Sequence, residues 1–259
     1  MNLKSKSHIL GKHFVSKFSL NTKHNILAVY VDSADTVSFY HLANSQPQEI
    51  FQGMSKPSGK KSALAWSNDG AYLALGSNNL EIWKFDGKKM TPVKNYSEDF
   101  FDVKIVSWSP DSVNVAYGGL SRKNCIKIKN IQTGATKDLA IPLAVCSISF
   151  DPFGKYLLLL LRNNILYIYN ASSLSKVKEV PLSPNTSKKE SINTVRDIRG
   201  MGWSPDFNYL VCPSLDDSKV SVAVNLSRSG GFRFKQGFLG HVSSISCAKF
   251  NPNLYEHDK

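Results

Sequence analysis

A chain of 259 residues with 32 Lys and Arg against 20 Asp and Glu carries a formal net charge of +12, and 42% of its residues are hydrophobic. That apolar content excludes a disordered chain, and the longest apolar run, Tyr156 to Leu161, falls far short of the roughly 20 residues a membrane-crossing helix needs. The N-terminal MNLKSKSHILGKHF lacks the unbroken apolar stretch of a secretory signal, and Cys125, Cys146, Cys212 and Cys247 form no CxxC pair, so an intracellular protein with reduced thiols is expected.

Read from the N-terminus, one unit recurs: VSKFSLNTKHNILAV, ALAWSNDGAYLALGS, IVSWSPDSVNVAYGG, SISFDPFGKYLLLLL, GMGWSPDFNYLVCPS and CAKFNPNLYE. In each, an alternating apolar strand ends on an aromatic anchor. The anchors are Phe18, Trp66, Trp108, Phe150, Trp203 and Phe250, spaced 48, 42, 42, 53 and 47 residues apart. A polar turn such as Ser67-Asn68-Asp69-Gly70 or Ser109-Pro110-Asp111 then reverses the chain into a second strand, which opens at Tyr72-Leu73, Val115-Ala116, Tyr156-Leu157 or Tyr209-Leu210. A third strand is expected around Ile82, Ile128, Ile168 and Val222. The Lys-, Ser-, Pro- and Gly-rich stretches Gly53 to Lys61 and Pro181 to Glu190 suit an exposed outer strand and loops.

A period near 40 to 50 residues with several short strands per unit is that of a β-propeller, in which each sheet buries an apolar face against its neighbour. The expectation is a single all-β domain over 1–259 with blades at about 14–47, 62–95, 103–140, 144–182 and 198–237. A sixth opens at 238–259. Phe18, Trp66, Trp108, Phe150, Trp203 and Phe250 are assigned to packing between adjacent sheets.

The pattern resembles WD-repeat propellers, although the third strands end in Trp83-Lys84, Lys129-Asn130 and Tyr169-Asn170 in place of Trp-Asp, and only Gly240-His241 supplies the family's Gly-His. The C-terminal part is more specific. Trp203 to Asp206, Tyr209 to Val211, Arg228 with Gly231-Phe232, Phe238 to His241, and Lys249 to Pro252 resemble the fifth blade and the start of the sixth in the HIRA/Hir family of histone chaperones. AWSNDGAYLALGS and SFDPFGKYL are similar to that family's second and fourth blades. The resemblance implies a seven-bladed propeller, of which this chain holds five blades and the first strand of a sixth. It also implies a blade-stapling role for His241.

By the same resemblance the function is that of a non-catalytic subunit in the nucleus, acting in replication-independent nucleosome assembly and transcriptional regulation. Its implied partners are ubinuclein-like subunits, with the anti-silencing chaperone and histones engaged indirectly. The WD-repeat subunit of chromatin assembly factor one shares the blade order and the Asp151 to Tyr156 strand entry, and stands as the alternative. A generic scaffold outside chromatin is the third.

No nucleophile elbow, phosphate-cradling loop or zinc helix occurs, and His8, His13, His24, His41, His241 and His257 never fall at ligand spacing; no catalytic residue, metal or cofactor is expected. The lysines are spread over every repeat, which fits a solvated surface or loose, salt-sensitive contact with nucleic-acid phosphates. A domain at +12 repels basic histones on average, so docking of other subunits is favoured over bulk histone binding. Arg228, Phe232 and Arg233 form the expected partner patch.

Overall fold

The computed structural model describes residues 15–31, 35–42, 48–52, 63–93, 103–119, 125–182, 200–204, 206–213, 219–226 and 231–239. All regular structure among them is β. Twenty strands form five four-stranded antiparallel sheets, each a simple meander. Sheet one holds β1 (Val15–Asn21), β2 (Ile26–Val31), β3 (Thr36–His41) and β4 (Gln48–Gln52), and sheet two holds β5 (Ala63–Trp66), β6 (Tyr72–Gly76), β7 (Leu80–Phe85) and β8 (Met90–Pro92). Sheet three comprises β9 (Ile105–Trp108), β10 (Asn114–Gly118), β11 (Cys125–Asn130) and β12 (Thr136–Ala140). Sheet four comprises β13 (Val145–Phe150), β14 (Tyr156–Leu161), β15 (Ile165–Asn170) and β16 (Lys176–Pro181), and sheet five β17 (Gly202–Trp203), β18 (Tyr209–Pro213), β19 (Lys219–Leu226) and β20 (Gly231–Leu239). This is the architecture of WD-repeat propeller blades. β20 runs through Phe238 and Leu239, which pair with Val220 and Lys219, so these two residues lie in the fourth strand of sheet five and not at the start of a further sheet.

The first strands β1, β5, β9 and β13 lie side by side, and apolar clusters fill each gap between successive sheets. β14 shows why its run is unbroken. Leu157, Leu159 and Leu161 join the cluster shared with sheet three, while Tyr156, Leu158 and Leu160 join the one shared with sheet five. Successive side chains leave a strand on opposite faces, and both faces here are covered. Full burial of each leucine contributes about 1.5 to 3 kcal/mol. The outer strands are wet by contrast: Lys176, Val177, Lys178 and Glu179 of β16 are all exposed.

Trp66, Trp108, Phe150 and Trp203 end the first strands of sheets two to five, each opposite the second residue of the next strand, namely Leu73, Val115, Leu157 and Leu210. Each packs back onto the preceding sheet: Trp66 meets Phe39 edge-on at 6.0 Å, and Trp203 packs on the cluster shared by sheets four and five. Phe18 departs from the expectation. It pairs with Val29, and the equivalent place, opposite Leu27, belongs to Leu20. A strand's side chains alternate with period two, so residues 18 and 20 share a face and the sequence pattern cannot separate them. Phe18 is 70% exposed and Leu20 47%, because no described sheet lies against that side of sheet one.

Candidate docking surface

The reversals between first and second strands are built on one repeated device. In sheets two, three and five, Ser67, Ser109 and Ser204 accept the N–H of the residue opening the next strand, Tyr72, Asn114 and Tyr209, at 2.9, 2.8 and 2.9 Å. The same hydroxyls donate to Asp69, Asp111 and Asp206, which in turn accept the backbone N–H of Ala71, Val113 and Asn208. Such side chains satisfy turn donors that no ladder reaches.

Sheet four replaces the serine with Asp151, which accepts from Tyr156 N–H at 2.6 Å and Phe153 N–H at 3.3 Å. Desolvation pushes the Asp151 carboxyl up from its ordinary value, against the pull of those two backbone donors. At the same end of sheets three and four, opposite Asn114 and Tyr156, Asn130 and Asn170 stand where a Trp-Asp pair would place its acid. Asn130 Oδ1 accepts the N–H groups of Gln132 and Thr133, and Asn170 Oδ1 those of Ser172 and Ser173.

Three residues beyond each turn-opening side chain of sheets two to five, the backbone is left-handed: φ is +69° at Gly70, +60° at Ser112, +73° at Gly154 and +60° at Phe207. Glycine adopts this freely, whereas a bulky residue is strained by about 1 to 2 kcal/mol. Phe207 thus holds a conformation for which two sister turns use glycine. Its ring is 41% exposed and meets Phe153 of sheet four, 65% exposed, edge-to-face with centroids 5.8 Å apart.

The turns also touch across sheets. Asn21 Nδ2 donates to Gly70 O at 3.0 Å, and Asp69 N–H to Ser112 Oγ at 3.0 Å, so the turns make a continuous edge along the stack. Between sheets three and four this edge opens into a cavity of about 510 Å3. Its walls include Pro110, Asn130, Thr133, Lys137, Phe153 and Ser172. Lys137 Nζ donates across it to Ser172 O at 3.2 Å. Lys155, next in sequence to Gly154, sits over the Tyr156 ring at 5.1 Å on the side facing sheet five.

Of the expected partner patch, Phe232 and Arg233 place their backbones in β20 opposite Asn225 and Val224, while Arg228 lies outside the described residues, as do His241 and Phe250. The aromatic pair Phe153 and Phe207 escaped the sequence reading. Its signal was a phenylalanine inside each of two otherwise polar turns, Asp151-Pro152-Phe153-Gly154 and Ser204-Pro205-Asp206-Phe207.

No model of a known protein family matches the chain. It is similar to Protein HIR1 of Eremothecium gossypii, 24% identical over 235 residues that cover 82% of this chain and 28% of the relative. Protein HIR1 of Schizosaccharomyces pombe is 23% identical over 227 residues, covering 78% and 23%. Protein HIR2 of Debaryomyces hansenii is 25% identical over 197 residues, covering 74% and 16%. The chain therefore spans less than a third of the length of these curated relatives.

Proposed function

The chain is a divergent member of the HIRA/Hir family, and on that premise we propose that it is a non-catalytic subunit of a nuclear histone-chaperone complex. It acts as a platform for replication-independent nucleosome assembly and transcriptional regulation. The observation that carries the reading is the matched stretch of about four-fifths of the chain together with a rigid stack whose continuous edge of turns presents exposed rings. A propeller alone hosts many unrelated activities, so the fold adds a surface and the relatives add the context.

At a net charge of +12 the chain contacts histones through ubinuclein-like and other subunits and not by bulk attraction. Its contact with DNA is weak and screened by salt. The test is affinity purification of the tagged chain from cells of its own organism, with imaging of its location. Recovery of a ubinuclein-like protein and histones with nuclear signal supports the reading. Recovery of replication-clamp components or cytoplasmic partners alone overturns it, and tight binding of free histones by the purified chain overturns the platform role.

A further inference from the structure

We propose that Thr91, on the outer strand of sheet two, is a phosphorylation site for a proline-directed serine/threonine kinase. The inference goes beyond the platform reading and does not depend on it. The chain holds four Ser/Thr-Pro dipeptides, Thr91-Pro92, Ser109-Pro110, Ser183-Pro184 and Ser204-Pro205. Ser109 and Ser204 are 5% and 1% exposed, and their hydroxyls accept the N–H groups of Asn114 and Tyr209. A kinase reaches neither without undoing a turn between inner strands. Ser183 lies outside the described residues. Thr91 is exposed, and its hydroxyl donates a long 3.4 Å bond to Lys84 O, which a competing partner displaces easily.

The strand that carries Thr91 is the easiest part of sheet two to lift. β8 stands at the sheet's outer edge and pairs with β7 through three residues, Met90, Thr91 and Pro92. Thr91 and Pro92 are exposed, and proline brings no N–H to the ladder, so opening β8 disturbs little of the core. Proline also holds the residue before it extended, the backbone a proline-directed kinase accepts ahead of that ring. Lys88 and Lys89 precede the pair in sequence, and Lys94 follows it. In the transfer, Thr91 Oγ1 bonds to the γ-phosphorus of ATP and the bond from that phosphorus to the β–γ bridging oxygen breaks. ADP leaves with that electron pair, and the hydroxyl proton passes to the kinase's base. The phosphate carries about −1.5 to −2 charges. Lys84 lies directly opposite Thr91, is exposed and forms no ion pair among the described residues. Residues opposed in an antiparallel pair share a face, so the phosphate gains the Lys84 ammonium and clamps β8 to β7. Asp86 of the connecting turn is already bonded to the N–H groups of Lys88 and Lys89.

The whole purified chain is incubated with ATP and, in separate reactions, a cyclin-dependent kinase and a mitogen-activated protein kinase, and the phosphate is located by peptide mass spectrometry. Incorporation at Thr91 is expected with at least one of them, lost in Thr91→Val and reduced about tenfold or more in Pro92→Ala. Both substitutions are at an exposed edge, so their thermal midpoints are expected to match the parent's, which separates a lost site from a lost fold. Phosphorylation is expected to slow amide exchange at Val93, whose N–H donates to Ile82 O at 2.9 Å, in the parent and not in Lys84→Ala. The chain isolated from its own organism is expected to carry the same phosphate. No incorporation, phosphate on the serines with none on Thr91, or equal incorporation in Pro92→Ala overturns the site. Unchanged exchange at Val93 overturns the clamp. None of these outcomes touches the platform reading, which falls only by the recovery of partners described above.

Discussion

The indole N–H of Trp108 donates to the backbone carbonyl of Ala65 at 3.0 Å, so the last residue of one inner strand is bonded to the sheet before it. Trp203 repeats the arrangement, donating to Phe150 O and to Ser149 Oγ at 3.2 Å each. Trp66 does not. Its backbone N–H reaches Ser19 Oγ, and its buried Nε1 has no acceptor among the described residues. Trp108→Phe therefore loses a hydrogen bond, a loss of about 0.5 to 1.5 kcal/mol beyond the change in volume. Trp66→Phe removes an unsatisfied donor instead. Urea midpoints should fall clearly further for Trp108→Phe than for Trp66→Phe, and equal shifts would contradict the staple.

Ser109 Oγ holds Asp111 and the Asn114 N–H at once. Ser109→Ala leaves that N–H without its side-chain acceptor and should destabilise by about 1 to 2 kcal/mol. Ser109→Asp, the residue that sheet four uses at Asp151, should restore much of the difference in the same unfolding measurement.

The Asp151 carboxyl is raised by burial, so the folded chain binds its proton more tightly than the unfolded chain does. Its contribution is then fully present below the ordinary carboxyl value of 3.8 and is lost as pH climbs from there through the raised folded value. Asp151→Asn keeps an acceptor for Tyr156 N–H and carries no buried charge; Asn21 already fills the equivalent place in sheet one. At neutral pH the variant should match or exceed the parent in stability, and that advantage should vanish near the ordinary carboxyl value. A deficit at neutral pH in urea titrations would refute this.

Gly70 and Gly154 share a left-handed backbone but differ in space. A Cβ on Gly70 would lie 2.5 Å from Asn21 Oδ1, whereas one on Gly154 would meet Pro110 at an ordinary 3.6 Å. Gly154→Ala should cost about 1 kcal/mol from backbone conformation alone. Gly70→Ala should cost more, since it also disturbs the Asn21 bond to Gly70 O that joins sheets one and two. Thermal midpoints for the two variants give the ranking.

The strands were legible because the aromatic, the polar turn and the alternating second strand recur with their order intact. The third strands lie at Leu80–Phe85, Cys125–Asn130, Ile165–Asn170 and Lys219–Leu226, around the residues that spacing marked. Sheet one misled at Phe18 because two apolar residues of one strand face the same way, and only the register across the turn identifies Leu20. The indole staples were not legible at all. Their acceptors, Ala65 and Phe150, lie 43 and 53 residues away, and a linear pattern carries no register between sheets. The Phe153–Phe207 contact was hidden for the same reason, although each ring stands out within its own turn.

β14 belongs to two cores at once, and that sharing governs how the stack comes apart. A sheet whose middle strand fills the gaps on both sides cannot melt by itself without opening each neighbour, and β6 and β10 share this arrangement through Leu73 and Ala74 and through Val115 and Ala116. The amide hydrogens of Leu157 to Leu161, buried on both faces, should therefore be among the last to exchange with solvent.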